Sequence, residues 1–160
     1  METFVMALML FLKIFTVYFA CVAIFNLKKR RAYPIVPPQT RFAVIVAARN
    51  EEAVIGNLVA SILSQNYPAA LRDVFVAPNN CTDNTEAAAA AAGAEIIHCL
   101  AGVQSKGAAL HQAIAQLRRR GYDAYVVFDA DNVADPDFLS RMNDAFAAGA
   151  RVCKSRMMTA

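Results

Sequence analysis

The stretch YVVFDADNV at residues 125–133 ends an apolar, β-prone run on two aspartates, Asp129 and Asp131, with one alanine between them. Strand residues i and i+2 point the same way, so both carboxylates face one spot. Like charges held that close are costly unless a cation or a donor-rich ligand neutralises them. Mg²⁺ typically takes one or two carboxylates together with substrate phosphates, so the pair suits a divalent ion carrying a diphosphate. Lys106 stands beside Gly107 at the start of a helical pattern, where a phosphate would sit against a helix N-terminus. Asn79 and Glu51 offer hydrogen bonds to a base or a ribose. The competing reading is plain turn chemistry, in which Asp-Asn and Asp-Pro are ordinary.

These residues fall at the ends of elements. The β-branched run RFAVIVAA at 41–48 reads as a buried strand, and shorter strands are predicted at 73–77, 94–99 and 125–128. Helical patterns follow at 51–65, at 85–93 with Gly93 as its stop, at 106–121, and from Asp135-Pro136-Asp137 through about Ala148. The run ARVCKSRMM at 150–158 is a candidate fifth strand. Strand alternating with helix predicts a mainly parallel sheet covered on both faces. Ligands then bind outside the carboxyl ends of the strands. There the sequence places Arg49 to Glu52, Asn79 to Asp83, Ser105 to Gly107, and Asp129 with Asp131. Neither a G-x-G-x-x-G nor a P-loop pattern occurs, which disfavours a Rossmann dehydrogenase and a P-loop NTPase.

The amino-terminal region is of another kind. Residues 4–27 are almost wholly apolar, interrupted by Lys13, and Lys28, Lys29, Arg30 and Arg31 follow at once. Basic residues after the apolar run, with none before it, argue a retained membrane helix rather than a cleaved signal. The positive-inside rule then places the N-terminus outside and the domain in the cytosol of a single-pass cell-membrane protein. Mid-span, Lys13 either snorkels to an interface or faces another membrane helix. The resulting division is an anchor at 1–27, a basic, proline-rich linker at 28–40, and a domain at 41–160. Formal net charge is +3, and four positive charges sit in the juxtamembrane cluster. The domain is therefore near neutral and lacks the basic stripe of a nucleic-acid binder. Cys21, Cys81, Cys99 and Cys153 are scattered without zinc-type spacing and read as reduced thiols.

Taken in order, VIVAARNEE, NNCTDNT, SKGAAL and VVFDADN resemble the nucleotide-binding half of family 2 inverting glycosyltransferases with a GT-A fold. The resemblance implies a Rossmann-like half-domain behind one transmembrane helix, a nucleotide-diphosphate sugar donor, in the first place a UDP-sugar, and Mg²⁺ or Mn²⁺ as cofactor. It implies a glycan or lipid acceptor at the membrane. The segment from Ala47 through Arg49 to Glu51 matches the element lining the uridine pocket, and Asn79 to Asp83 the second-strand motif. Asn79 stands where the family usually carries a base-reading aspartate. Lys106 matches the basic residue that contacts the nucleotide ahead of the third helix, Asp129 the ribose-side acid, and Asp131 the metal ligand of the D-x-D pair. The general base of such enzymes lies well after D-x-D, so it is expected beyond residue 160, and the chain reads as an amino-terminal fragment. Two alternatives remain. One is a non-catalytic, membrane-anchored nucleotide-binding module. The other is a sugar nucleotidyltransferase, which would need a glycine- and arginine-rich signature after the first strand.

Overall fold

The absence of any polar side chain from residues 42–48 follows from their place at the centre of a sheet. In the computed structural model, which describes residues 1–26, 33–100 and 102–154, β1 (Phe42–Ala48) is buried along its whole length. It pairs in parallel with β2 (Arg72–Pro78) on one side and β4 (Ala124–Phe128) on the other. Among the described residues the sheet has four strands in the order β3 (Glu95–Ile96), β2, β1, β4. Strand alternation divides its core. Phe42, Val44 and Val46 pack on one face with α2 (Ile55–Leu63), α3 (Thr85–Ala91) and α5 (Phe138–Ala147). Ala43 and Ile45 face α4 (Lys106–Leu117), where Ala113 and Leu117 meet them. The alanines of α3 let that helix lie close, with Ala89 fully buried.

Several elements are shorter than their sequence patterns. The third strand, predicted at 94–99, is β3 (Glu95–Ile96). Among the described residues it is an edge strand paired with β2 alone, and His98 faces solvent, where Glu86 lies 3.8 Å from it. The helix predicted from residue 51 begins at Ile55. Ahead of it, Glu51 O accepts from Val54 and Ile55 N–H at 3.0 and 2.9 Å, while Glu51 and Glu52 N–H are tied to Thr85 and Asp83 of the next loop. Helix α4 ends at Leu117, and Arg120 beyond it pairs with Glu95 at 2.5 Å instead of extending the last turn. Among the described residues 150–154 there is no strand, and the rest of that candidate lies outside the described residues.

Residues 33–40 do not stand off as a spacer. The chain divides into two units, residues 1–32 and 33–160, so this segment belongs with the sheet. Asn143 of α5, 1% exposed, accepts from the N–H groups of Gln39 at 3.0 Å and Thr40 at 3.2 Å. Asp144 accepts from Val36 N–H at 3.0 Å. At the same, amino-terminal edge of the strands, Asp73 accepts from Arg41 at 3.1 Å and from the Tyr122 hydroxyl at 2.7 Å. Burial first, then this bond to a carboxylate, pushes the Tyr122 hydroxyl up to about 12.

In the first unit, α1 (Glu2–Asn26) is long and apolar enough over its first 23 residues to cross a membrane. At about 1.5 Å per residue that length matches the hydrocarbon core. The Phe11 and Phe15 rings stack with centroids 6.0 Å apart, and Phe15 and Phe19 meet at a tilt with centroids 4.6 Å apart. The basic residues 28–31 lie outside the described residues.

Candidate functional site

Parallel pairing brings the strand ends to one level. Ala47 is opposite Ala77, Ala48 opposite Pro78, and Val46 opposite Phe128, so Asp129 arrives level with Ala47. Two residues beyond the Ala48–Pro78 pair, Asn50 and Asn80 both adopt left-handed backbone, φ 56° and 53°. Asn tolerates that conformation better than most L-residues, and the two loops leave their strands by the same sharp turn. Between these loops and α4 opens a cleft of about 420 Å³. Ala47, Ala48, Arg49 and Glu51 line it from β1, Asn79 from β2, Gln104 and Lys106 from the start of α4, and Asp129, Ala130 and Asp131 from β4.

The polar groups of the cleft are not equivalent. Asn79 is 7% exposed, and its backbone N–H is taken by Ala48 O at 2.9 Å. Its side-chain amide has no partner among the described residues and keeps access to the cleft; the one buried side-chain polar atom without a partner among them is Arg72 Nε. Lys106 is the first residue of α4, the end of a helix whose dipole disfavours a cation. Its ammonium is paired with Asp129, both side chains being about half exposed at 47% and 55%. Water screens such a pair, so it is weak and can open for a ligand. Asp131 has no hydrogen-bond or ion-pair partner among the described residues. No group of three or more His, Cys, Asp or Glu is placed to hold a metal among them either. Two carboxylates with room for phosphate oxygens are nonetheless a sufficient donor set for Mg²⁺ or Mn²⁺.

Seven of the sequence-predicted site residues, Ala47, Arg49, Glu51, Asn79, Lys106, Asp129 and Asp131, thus share one cleft. Asp83 does not line it. Its carboxylate is consumed inside the protein, accepting from Thr85 Oγ1 at 2.5 Å, Thr85 N–H at 3.1 Å and Glu52 N–H at 3.1 Å. The Thr85 hydroxyl holds the Asp83 carboxyl below its usual range. Gln104 is in the lining without a motif of its own to announce it. Cys81 lies against Ala48 O at 3.6 Å, and burial pushes the Cys99 thiol up. Both are free cysteines.

A parallel sheet with polar loops gathered at its carboxyl edge defines a GT-A-like α/β domain. It superposes on a mannosyltransferase from Pyrobaculum calidifontis, solved with GDP-Man and Mn²⁺, with a TM-score of 0.64 and 24% identity over 81% of this chain and 39% of that one. The Mycobacterium tuberculosis glucosyl-3-phosphoglycerate synthase gives a TM-score of 0.57 at 26% identity, covering 69% of this chain and 42% of that one. The chain belongs to the glycosyltransferase-like family 2, whose profile matches residues 37–157. A curated relative, the beta-monoglucosyldiacylglycerol synthase of Synechocystis, is 33% identical over 117 residues. That match takes in 69% of this chain and 24% of the relative's length.

Proposed function

We propose that the chain forms the donor side of a membrane-anchored glycosyltransferase. In this reading it passes a sugar, with inversion, from a nucleotide-diphosphate sugar, foremost a UDP-sugar, to a lipid or glycan acceptor. The observation that carries the proposal is the side-chain amide of Asn79, without a partner among the described residues and open to the same cleft as Lys106, Asp129 and Asp131. One amide offers one acceptor and one donor, which complements the N3–H and carbonyl of a uracil edge. With the base held there and Glu51 beside it, Asp129 would stand at the ribose, and Lys106 would exchange its carboxylate partner for the diphosphate. Asp131, with Asp129 next to it, would hold Mg²⁺ or Mn²⁺. When bound, that ion supplies charge neutralisation for the leaving diphosphate. Mn²⁺ and UDP occur together in a structure of the related M. tuberculosis synthase, 25% identical at a TM-score of 0.51. The curated relative is named for a glucosylated diacylglycerol, which favours a lipid acceptor beside a membrane-anchored site.

Asn79→Leu is expected to weaken UDP binding by tenfold or more, roughly the loss when a buried polar contact is removed. Asn79→Asp keeps an acceptor for N3–H and is expected to stay within a few-fold of the parent. Calorimetry with UDP and Mn²⁺ measures both, and an Asn79→Leu chain that binds like the parent would remove the base from this corner.

The anchor reading makes its own prediction. With α1 spanning and the basic residues inside, a reporter fused after Thr40 is active only on the cytosolic side. Asn80, in the sequon Asn80-Cys81-Thr82, stays unglycosylated in microsomes. Glycan on Asn80 would reverse the topology.

A further inference from the structure

On the proposed reading of the cleft as a nucleotide site, we infer that Thr85 and Asp83 are a positioning pair: they fix the backbone of Glu51 and with it the wall of the cleft that faces the nucleotide. Neither residue lines the cleft, yet both are tied to the one that does.

The loops after β1 and β2 are joined in a seam of consecutive rungs. Asn50 Oδ1 accepts from Thr82 N–H at 2.8 Å, Glu51 N–H donates to Thr85 Oγ1 at 2.8 Å, and Glu52 N–H donates to Asp83 Oδ2 at 3.1 Å. Asn84 closes the seam from outside, its N–H and side-chain amide donating to Glu52 at 3.0 and 3.2 Å. The middle rung differs from the others because its acceptor is a hydroxyl buried to 0% exposure. A hydroxyl has one proton and two lone pairs, and the proton can rotate. Here the proton is directed at Asp83 Oδ1, 2.5 Å away, which turns the lone pairs toward Glu51 N–H. Asp83 therefore orients Thr85, and Thr85 orients Glu51.

The other side of Glu51 is held as well, since its carbonyl takes the N–H groups of Val54 and Ile55 at the start of α2. With N–H and C=O both engaged, only the torsions of the Glu51 side chain are left to adapt. That is the preorganisation a binding wall needs, because rigid groups lose less freedom when the ligand arrives. A carboxylate given only to capping α3 would not need a buried relay to the neighbouring loop.

Three variants of the full chain in detergent test the pair: Thr85→Val, which keeps the shape and removes the hydroxyl; Thr85→Ser, which restores it; and Asn84→Ala, which loosens the same end of α3 without touching the Glu51 rung. Two readouts are taken, UDP affinity with Mn²⁺ by calorimetry and amide exchange of Glu51 without nucleotide. Thr85→Val is expected to weaken UDP about tenfold and to speed Glu51 exchange by at least that factor, as for loss of one buried hydrogen bond. Thr85→Ser and Asn84→Ala are expected to stay within about twofold of the parent on both. The proposal is overturned if Thr85→Val matches the parent on both readouts. It is equally overturned if Asn84→Ala weakens UDP as much as Thr85→Val does, since the effect would then belong to α3 as a whole. A parent chain that does not bind UDP overturns the donor-site reading alone, and the Glu51 exchange comparison still decides the pair.

Discussion

Asp131→Asn is expected to remove the metal dependence of UDP binding and to lower affinity in Mn²⁺ by about a hundredfold, equivalent to ~2.7 kcal/mol. The reasoning starts from the inequality of the two aspartates. Asp129 is paired with Lys106, while Asp131 has no protein partner among the described residues and lines the cleft with its charge uncompensated. The amide keeps the size of the carboxylate and one acceptor oxygen but gives up the charge. A full charge at about 4 Å is worth roughly 4 kcal/mol at the effective dielectric of a partly exposed site, so most of an ion's hold would go with it. Asp129→Asn should cost less, about tenfold in the same measurement, because it frees the Lys106 ammonium for the diphosphate. Calorimetric titration of UDP with and without Mn²⁺ reads all of this. An Asp131→Asn chain that retains the parent's response to Mn²⁺ would place the ion elsewhere, and with it the proposed use of the cleft.

What the sequence disclosed follows from which constraints act locally. β1 was legible because a strand buried on both faces has no room for polar residues, and RFAVIVAA shows that directly. The gathering of Glu51, Asn79, Lys106 and Asp131 was legible because parallel strands in register deliver their ends to one edge, so that motif positions become spatial positions. Asp83 shows the limit of that logic. It sits in the same motif as Asn79, but side-chain direction in a loop is set by hydrogen-bond partners, and Thr85 with Glu52 turned it inward. The pattern Asp-x-Thr ahead of a helix carried the signal, since such residues bond to nearby backbone at helix starts. The pattern at 94–99 overextends β3 because it records apolar content, whereas a strand also needs a paired neighbour. Among the described residues the ladder to β2 holds Glu95 and Ile96, with one further bond from Ile97 N–H to Val76 O at 2.9 Å. The linker predicted at 28–40 rests on its basic residues and its prolines. They say nothing of a partner roughly a hundred positions later in the chain.

That partner gives the largest expected effect on stability. Asn143→Ala should destabilise the sheet domain by about 3 kcal/mol and lower its melting temperature by roughly 10 °C. Asn143 is 1% exposed and spends its whole amide on other parts of the chain. Besides Gln39 and Thr40, its oxygen takes the Tyr67 hydroxyl at 3.2 Å, and its nitrogen donates to Val36 O at 3.4 Å and Pro37 O at 3.2 Å. Alanine leaves these groups in a space too dry to solvate them, and an unsatisfied buried N–H costs about 1–3 kcal/mol. Tyr67→Phe removes a single hydroxyl, the donor to Thr40 O at 2.8 Å, and leaves Asn143 Oδ1 bonded to Gln39 and Thr40 N–H, so it should cost less, about 1 kcal/mol. Asp144→Asn should be milder still, because an amide oxygen can go on accepting from Val36 N–H. Thermal unfolding by circular dichroism ranks the three. Equal melting of Asn143→Ala and parent would mean that α5 does not hold the segment. The ranking bears on more than stability, since residues 36–40 run directly into β1, whose far end forms the floor of the cleft. The clasp at α5 holds the approach to Phe42 and so supports the register that brings Asp129 level with Ala47.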